Sequence, residues 1–220
     1  FFIMHPLQPD LSHIQTNEAL IYGSTDFSVD FYGIYKEKLR TENVNKYKTS
    51  SRNDIPNKAV VVLIGSNQID KICFKKLKHI YKEHGKLVTY KPHPLSDFNE
   101  RTTEQFLKDN IHKQAVIADK NDDVYQYIKH TDSVYTTHWS ETAFHAVCLE
   151  KNIDPIDTFQ SRFFGSFSHI NKHLFETDDP KYVINKMFND YRSGLIHPEF
   201  HFDWKKRIST YLEYIHNKRH

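Results

Sequence analysis

Lys58-Ala59-Val60-Val61-Val62-Leu63-Ile64-Gly65-Ser66-Asn67 is the stretch on which the fold is read. From Ala59 to Ile64 the residues are apolar without interruption and mostly β-branched; then a glycine, a serine and an asparagine end the run. A strand with one wet face would alternate apolar and polar residues, so an unbroken run belongs to a strand covered on both sides, as in a parallel sheet. Downstream, Ile69, Ile72, Cys73, Leu77 and Ile80 recur at helical spacings with lysines between them, which predicts a helix over 68–84. Gly85 is placed to cap it, and a second strand is expected over 86–90. Strand, helix and strand together take about 30 residues, the length of a βαβ crossover.

The alternation continues. Helices are expected over 102–110, 122–130 (with Asn121 or Asp122 as N-cap) and 140–150, and strands over 115–118, 133–137 and 153–156. Residues 158–178 read as an irregular aromatic loop, followed by helices over 180–192 and 202–217. Before Lys58 the pattern is weaker: a short strand over 17–24, a helix over 31–40 and a polar, lysine-rich connection over 41–57. The fold class is therefore α/β, a Rossmann-like parallel sheet over 58–157 with a loop and helical tail over 158–220.

Composition narrows the function classes. With 38% hydrophobic residues, the 16 Phe and 13 Tyr supply much of the core material. No apolar run approaches the length of a membrane span, and no signal-peptide pattern is present. A net charge of +2 lacks the concentrated basic face of a nucleic-acid binder. The basic C-terminal end, with Lys205, Lys206, Arg207 and His216, reads as a solvated helix face, or alternatively as a peripheral contact with a membrane surface. Cys73 and Cys148 fall inside expected helices, which points to buried thiols in a reducing, cytoplasmic setting rather than to a disulfide or zinc site. The chain opens Phe1-Phe2-Ile3-Met4, which suggests a fragment of a longer protein or a processed chain.

Three strand exits gather the polar residues. Gly65 and Ser66 follow the first strand, where a tight turn and helix-opening N–H groups could hold phosphate. Lys91-Pro92-His93-Pro94 follows the second; each proline fixes its own φ and extends the residue before it, so an imidazole and a cation sit on a stiff loop. Thr137-His138-Trp139-Ser140-Glu141 follows the later strand, with Ser140 as N-cap and the N–H groups of residues 141–143 expected to point out of the helix. A rigid His93/Lys91 pair beside a serine-capped helix suits an anionic ligand, most simply a phosphate. The structural alternative is a proline turn with a solvent-facing histidine, plus a cap with Trp139 packed beside it. No dinucleotide fingerprint or P-loop is present. Among the 15 histidines, His197 and His201 are separated by Pro198 and lack a third ligand, and His138 and His145 could share a helix face.

Taken in order, a GS turn, a PHP loop and a serine turn opening a helix resemble the nucleotide-binding, C-terminal half of GT-B glycosyltransferases. The nearest resemblance is to bacterial sialyltransferases of the lipooligosaccharide type (family 52) and to capsule polysaccharide transferases using CMP-activated sugar acids. The resemblance covers 58–157. It implies that His93 is the catalytic histidine contacting the CMP phosphate. It also implies that Gly65, Ser66, Thr137 and Ser140 line the substrate site, and Lys91, His138 and Glu141, at the same strand exits, are further candidates for its lining. On the same resemblance, 1–57 would be the remnant of, or crossover from, an N-terminal GT-B domain. The implied activity is inverting, metal-independent transfer of a sugar acid, such as sialic acid or Kdo, from CMP to a glycan or glycolipid acceptor, with no further cofactor. The enzyme would be cytoplasmic or peripheral to the inner membrane face. Two features depart from the family. No D/E-D/E-G motif is present to supply a general base, and Phe144-His145-Ala146-Val147 stands where capsule enzymes carry F-E-A-L. Asp26 and Asp30 are acidic candidates that read better as loop carboxylates. A non-catalytic nucleotide-sugar or phosphate-binding module is the alternative, as is an epimerase or phosphotransferase of similar fold.

Overall fold

The computed structural model describes residues 27–41, 58–97, 102–159, 168–193 and 201–218. Five strands, β1 (Ala59–Val62), β2 (Val88–Lys91), β3 (Val116–Ile117), β4 (Ser133–Thr136) and β5 (Asn152–Pro155), form one sheet in the order β3-β2-β1-β4-β5. Every neighbouring pair is parallel. β1 sits at the centre, with Val60 level with Thr89 on one side and Val134 on the other. That position explains its unbroken apolar run: with a pleat of period two, both faces need hydrophobic cover.

The two faces are filled by different residues. Val60, Val62 and Val134 enter one core with Phe31, Tyr35, Leu39, Phe144, Val147, Ile184 and Phe188. Ala59, Val61 and Leu63 enter the other with Leu77, Ile80, Val88, Tyr90 and Leu107. The helices are α1 (Phe31–Thr41), α2 (Phe74–His84), α3 (Thr103–Asn110), α4 (Val124–Lys129), α5 (Glu141–Cys148), α6 (Ser168–Glu176), α7 (Pro180–Asn189) and α8 (Trp204–Lys218). α2 and α3 cover the second face, while α1, α4, α5, α6 and α7 cover the first. α1 is tied to the end of α5 by Lys36 and Arg40, both paired with Glu150.

Several expectations change. The single helix over 68–84 is two pieces, a 3-10 segment Ser66–Lys71 and then α2. Between them Ile72 bridges antiparallel to Asp157 and the Cys73 N–H donates to the Ile156 carbonyl, so this backbone is committed to the far end of β5 rather than to a helix. Cys73 is consequently exposed, and only Cys148 is a buried thiol. The N-cap of α4 is Asp123, whose carboxylate accepts the Tyr125 N–H at 2.8 Å, one residue past Asp122. The expected aromatic loop over 158–178 contains α6, whose Ile170 and Leu174 are buried one turn apart in the first core. Gly85 does end α2, at φ +59°, a left-handed conformation that glycine takes without steric cost. The strand expected over 17–24, the 41–57 connection, Asp26 and His197 lie outside the described residues.

Candidate functional site

Chain order along the sheet reverses between β1 and β4, and in open α/β sheets ligands bind beyond the strand ends at that reversal. Direct bonds lock the neighbouring exits together. The Leu63 N–H donates to the Lys91 carbonyl at 3.0 Å, and the Thr136 hydroxyl donates to the Val62 carbonyl at 3.3 Å. The crevice floor is thus rigid backbone from β1, β2 and β4.

At the β1 exit the geometry departs from the expected phosphate turn. Gly65 has φ −59°, open to any residue, and the segment it opens is only the short 3-10 piece. The Ser66 hydroxyl accepts the Asp97 N–H at 3.1 Å and pins the proline loop against β1.

The β2 exit carries Lys91 and His93. Lys91 is buried in the strand, and its ammonium donates to the Pro92 carbonyl at 2.8 Å and the Lys120 carbonyl at 2.9 Å. It is a clamp between the proline loop and the β3 exit. Burial pulls its pKa from 10.5 down to about 8, against the opposing pull of Asp122, Asp119 and Asp123. His93 is half-buried and opens a turn closed by Ser96 N–H to the His93 carbonyl at 2.9 Å. Its Nδ1 accepts the Leu95 N–H at 3.1 Å, so the ring proton sits on Nε2 and that nitrogen is a donor. Burial first, and then the Lys91 charge, hold its pKa below the usual histidine value.

The β4 exit is the most constrained. Ser140 caps α5, its hydroxyl accepting the Thr142 N–H at 3.3 Å, while the Ala143 N–H donates to the Ser140 carbonyl at 3.3 Å. Two of the three N–H groups expected to point outwards are therefore engaged by the cap itself. Thr137 is fully buried, and its hydroxyl has no hydrogen-bond partner. His138 lies before the helix rather than on a face shared with His145. Its backbone N–H and its Nδ1 both donate to the Asp157 carboxylate, at 3.1 Å and 2.8 Å. The pair is largely withdrawn from solvent, with side chains 8% and 1% exposed. Asn171 of α6 reaches across to donate to the His138 and Ser140 carbonyls at 2.8 and 2.7 Å; its own Oδ1 is buried without a partner. Glu141 is partly exposed on the first turn of α5, with His145 Nε2 at 3.6 Å. His145 is buried with its Nδ1 2.5 Å from the Tyr125 hydroxyl.

Between the proline loop, the β3 exit and the start of α3 lies a cavity of about 530 Å³ lined by Pro92, Asp97, Thr102, Asp119 and Lys120, among others. The β3 exit was not singled out in the sequence, where Asp119-Lys120-Asn121 reads as an ordinary polar turn. Asp157 was missed as well, although it stands at the exit of the final strand. His201 is buried edge-on against Phe31, and Asp30 accepts from Gly33 and Asn185; both are structural. Among the described residues no cluster of His, Cys, Asp and Glu is placed to hold a metal ion, and no helix is long and apolar enough to cross a membrane. Comparison with protein-family models, with curated proteins and with solved structures found no match to this chain.

Proposed function

We propose that the crevice between β1 and β4 binds the phosphate of a CMP-activated sugar acid, and that the domain is the donor-binding half of a glycosyltransferase. One observation carries this reading. The fully buried Thr137 hydroxyl has no partner, and the Thr137 backbone carbonyl accepts the N–H of Ser140, the cap of α5, where the chain order reverses. A buried polar group without a partner costs about 1–3 kcal/mol, which a bound oxyanion or an ordered water would relieve. The N-terminus of α5 adds its positive dipole end, and His93, with its proton on Nε2, offers a donor from the β2 side. The 530 Å³ cavity at the β2 and β3 exits is within the size range of small-molecule sites and has carboxylates able to accept from sugar hydroxyls. The choice of cytidine and of a sugar acid rests on the sequence resemblance.

In the reaction an acceptor hydroxyl attacks the anomeric carbon as the bond to the CMP oxygen breaks. Donors aimed at the leaving phosphate lower that barrier, and removing one such donor typically costs about 3 kcal/mol. Calorimetric titration with CMP, CDP, UMP, UDP and ADP tests the reading. Binding is expected to be tightest for the cytidine nucleotides. A response to UDP with none to CMP would remove the sialyltransferase-like assignment, and no response to any nucleotide would remove the site.

A further inference from the structure

We infer that His138, oriented by Asp157, accepts the proton of the attacking hydroxyl, and so is the general base that the sequence motifs do not supply. The inference rests on reading the crevice as a donor site. Its own evidence is the contrast between two histidines on the strand exits that flank β1. In His93, Nδ1 is an acceptor and Nε2 bears the proton; in His138, Nδ1 donates to Asp157 and Nε2 keeps the lone pair. With both rings neutral, the first donates at Nε2 and the second accepts there.

The surroundings hold the second ring in that orientation. Asp157 is almost wholly buried and takes both the ring N–H and the backbone N–H of His138, so ring and turn are fixed by one carboxylate. Phe175 packs edge-on at 4.9 Å, and Asn171 grips the backbone carbonyls on either side of Trp139. Strand order sets the two histidines apart, since β2 lies on one side of the β1–β4 crevice and β5, which Asp157 follows by two residues, on the other. A donor to the departing phosphate and an acceptor for the incoming hydroxyl are needed on opposite sides of the reacting carbon. A carboxylate on Nδ1 with Nε2 as the proton acceptor is the arrangement by which hydrolases activate a hydroxyl.

The step balances without a co-reactant. The hydroxyl oxygen forms its bond to the anomeric carbon as its proton passes to Nε2. The carbon–oxygen bond to CMP breaks with its electron pair, and CMP departs as the anion. Water can replace the acceptor hydroxyl, which gives an assay independent of the natural acceptor.

Three measurements on the whole chain test the assignment. Imidazole ¹⁵N spectra should show His138 with protonated Nδ1 and bare Nε2, and Asp157→Asn should mix the tautomers. Diethyl pyrocarbonate should modify His138 slowly in the native protein, as its 8% side-chain exposure dictates, and CMP together with a sugar acid should protect it. His138→Gln should leave the CMP dissociation constant within about threefold while slowing hydrolysis of CMP-sialic acid or CMP-Kdo by about 100-fold or more, the usual weight of a general base. A protonated Nε2, an unreactive ring, or unchanged turnover in His138→Gln would overturn the inference and leave nucleotide binding standing. A protein that binds CMP yet hydrolyses neither donor would overturn it too. Failure of the wild-type chain to bind CMP would instead overturn the donor-site reading, and the inference with it.

Discussion

Replacing Lys91 with methionine separates two energies that coincide at neutral pH. The ammonium is buried in β2 and donates to the Pro92 and Lys120 carbonyls. Its folded pKa of about 8 lies below the 10.5 of the unfolded chain, so the unfolded state binds more protons between those values. Stability attributable to Lys91 therefore rises with pH from about 8 to about 10.5. The gap corresponds to about 3 kcal/mol, at roughly 1.4 kcal/mol per pKa unit. Methionine relieves that burial cost but loses two hydrogen bonds, worth about 1–1.5 kcal/mol each. The two effects nearly cancel at pH 7, where the variant should lie within about 1 kcal/mol of wild type. At pH 10.5 the relief is gone, because the neutral amine no longer carries the burial cost, and Lys91→Met should be about 3 kcal/mol less stable. Urea unfolding of both proteins at several pH values gives the difference, from which the buried tyrosines common to both cancel. A difference that stays constant to within about 0.5 kcal/mol would refute the buried-ammonium account.

Ser140→Ala removes a cap and the hydroxyl proposed to hold the phosphate: folding should lose about 1 kcal/mol and CMP affinity should fall. A stability loss with unchanged affinity would make Ser140 a cap and nothing more. His93→Ala should cost under about 1 kcal/mol of folding, since its bond from the Leu95 N–H is exposed, yet weaken CMP binding about tenfold or more. The His93 imidazole titrates below its ordinary value in the free protein, and a neighbouring phosphate should raise it. An NMR titration that CMP does not move would return it to the class of turn residues.

What could be read in the sequence was what local rules write there. The Ala59 to Ile64 run names a doubly covered strand, and Gly85 names a helix end, because pleat and cap act on neighbouring residues. The break at Ile72 and Cys73 is invisible locally, since it exists to meet Asp157 and Ile156 at the end of β5. The same holds for His138: its spacing suits a helix face shared with His145, and only the adjacency of β4 and β5 brings Asp157 to its Nδ1. Lys91 was legible as a cation near His93, but its direction was not. The strand buries it, and the carbonyls of two loops take up its donors. α6 was hidden because Ile170 and Leu174 are diluted by histidine, lysine and asparagine, a pattern that packing completes and periodicity does not announce.

The central place of β1 also shapes how the molecule assembles. β1 and β2 form one local unit, but the bond from Thr136 to Val62 joins residues 74 apart, so the β1–β4 crevice closes only after a long loop has been ordered. Such non-local pairing slows folding relative to helical proteins, and the crevice is absent from any intermediate that contains only β1, β2 and β3. A ligand seated there would select the fully assembled sheet. Refolding monitored by nucleotide binding should therefore lag behind the recovery of helix, with the ligand acting as a latch on the last pairing to form.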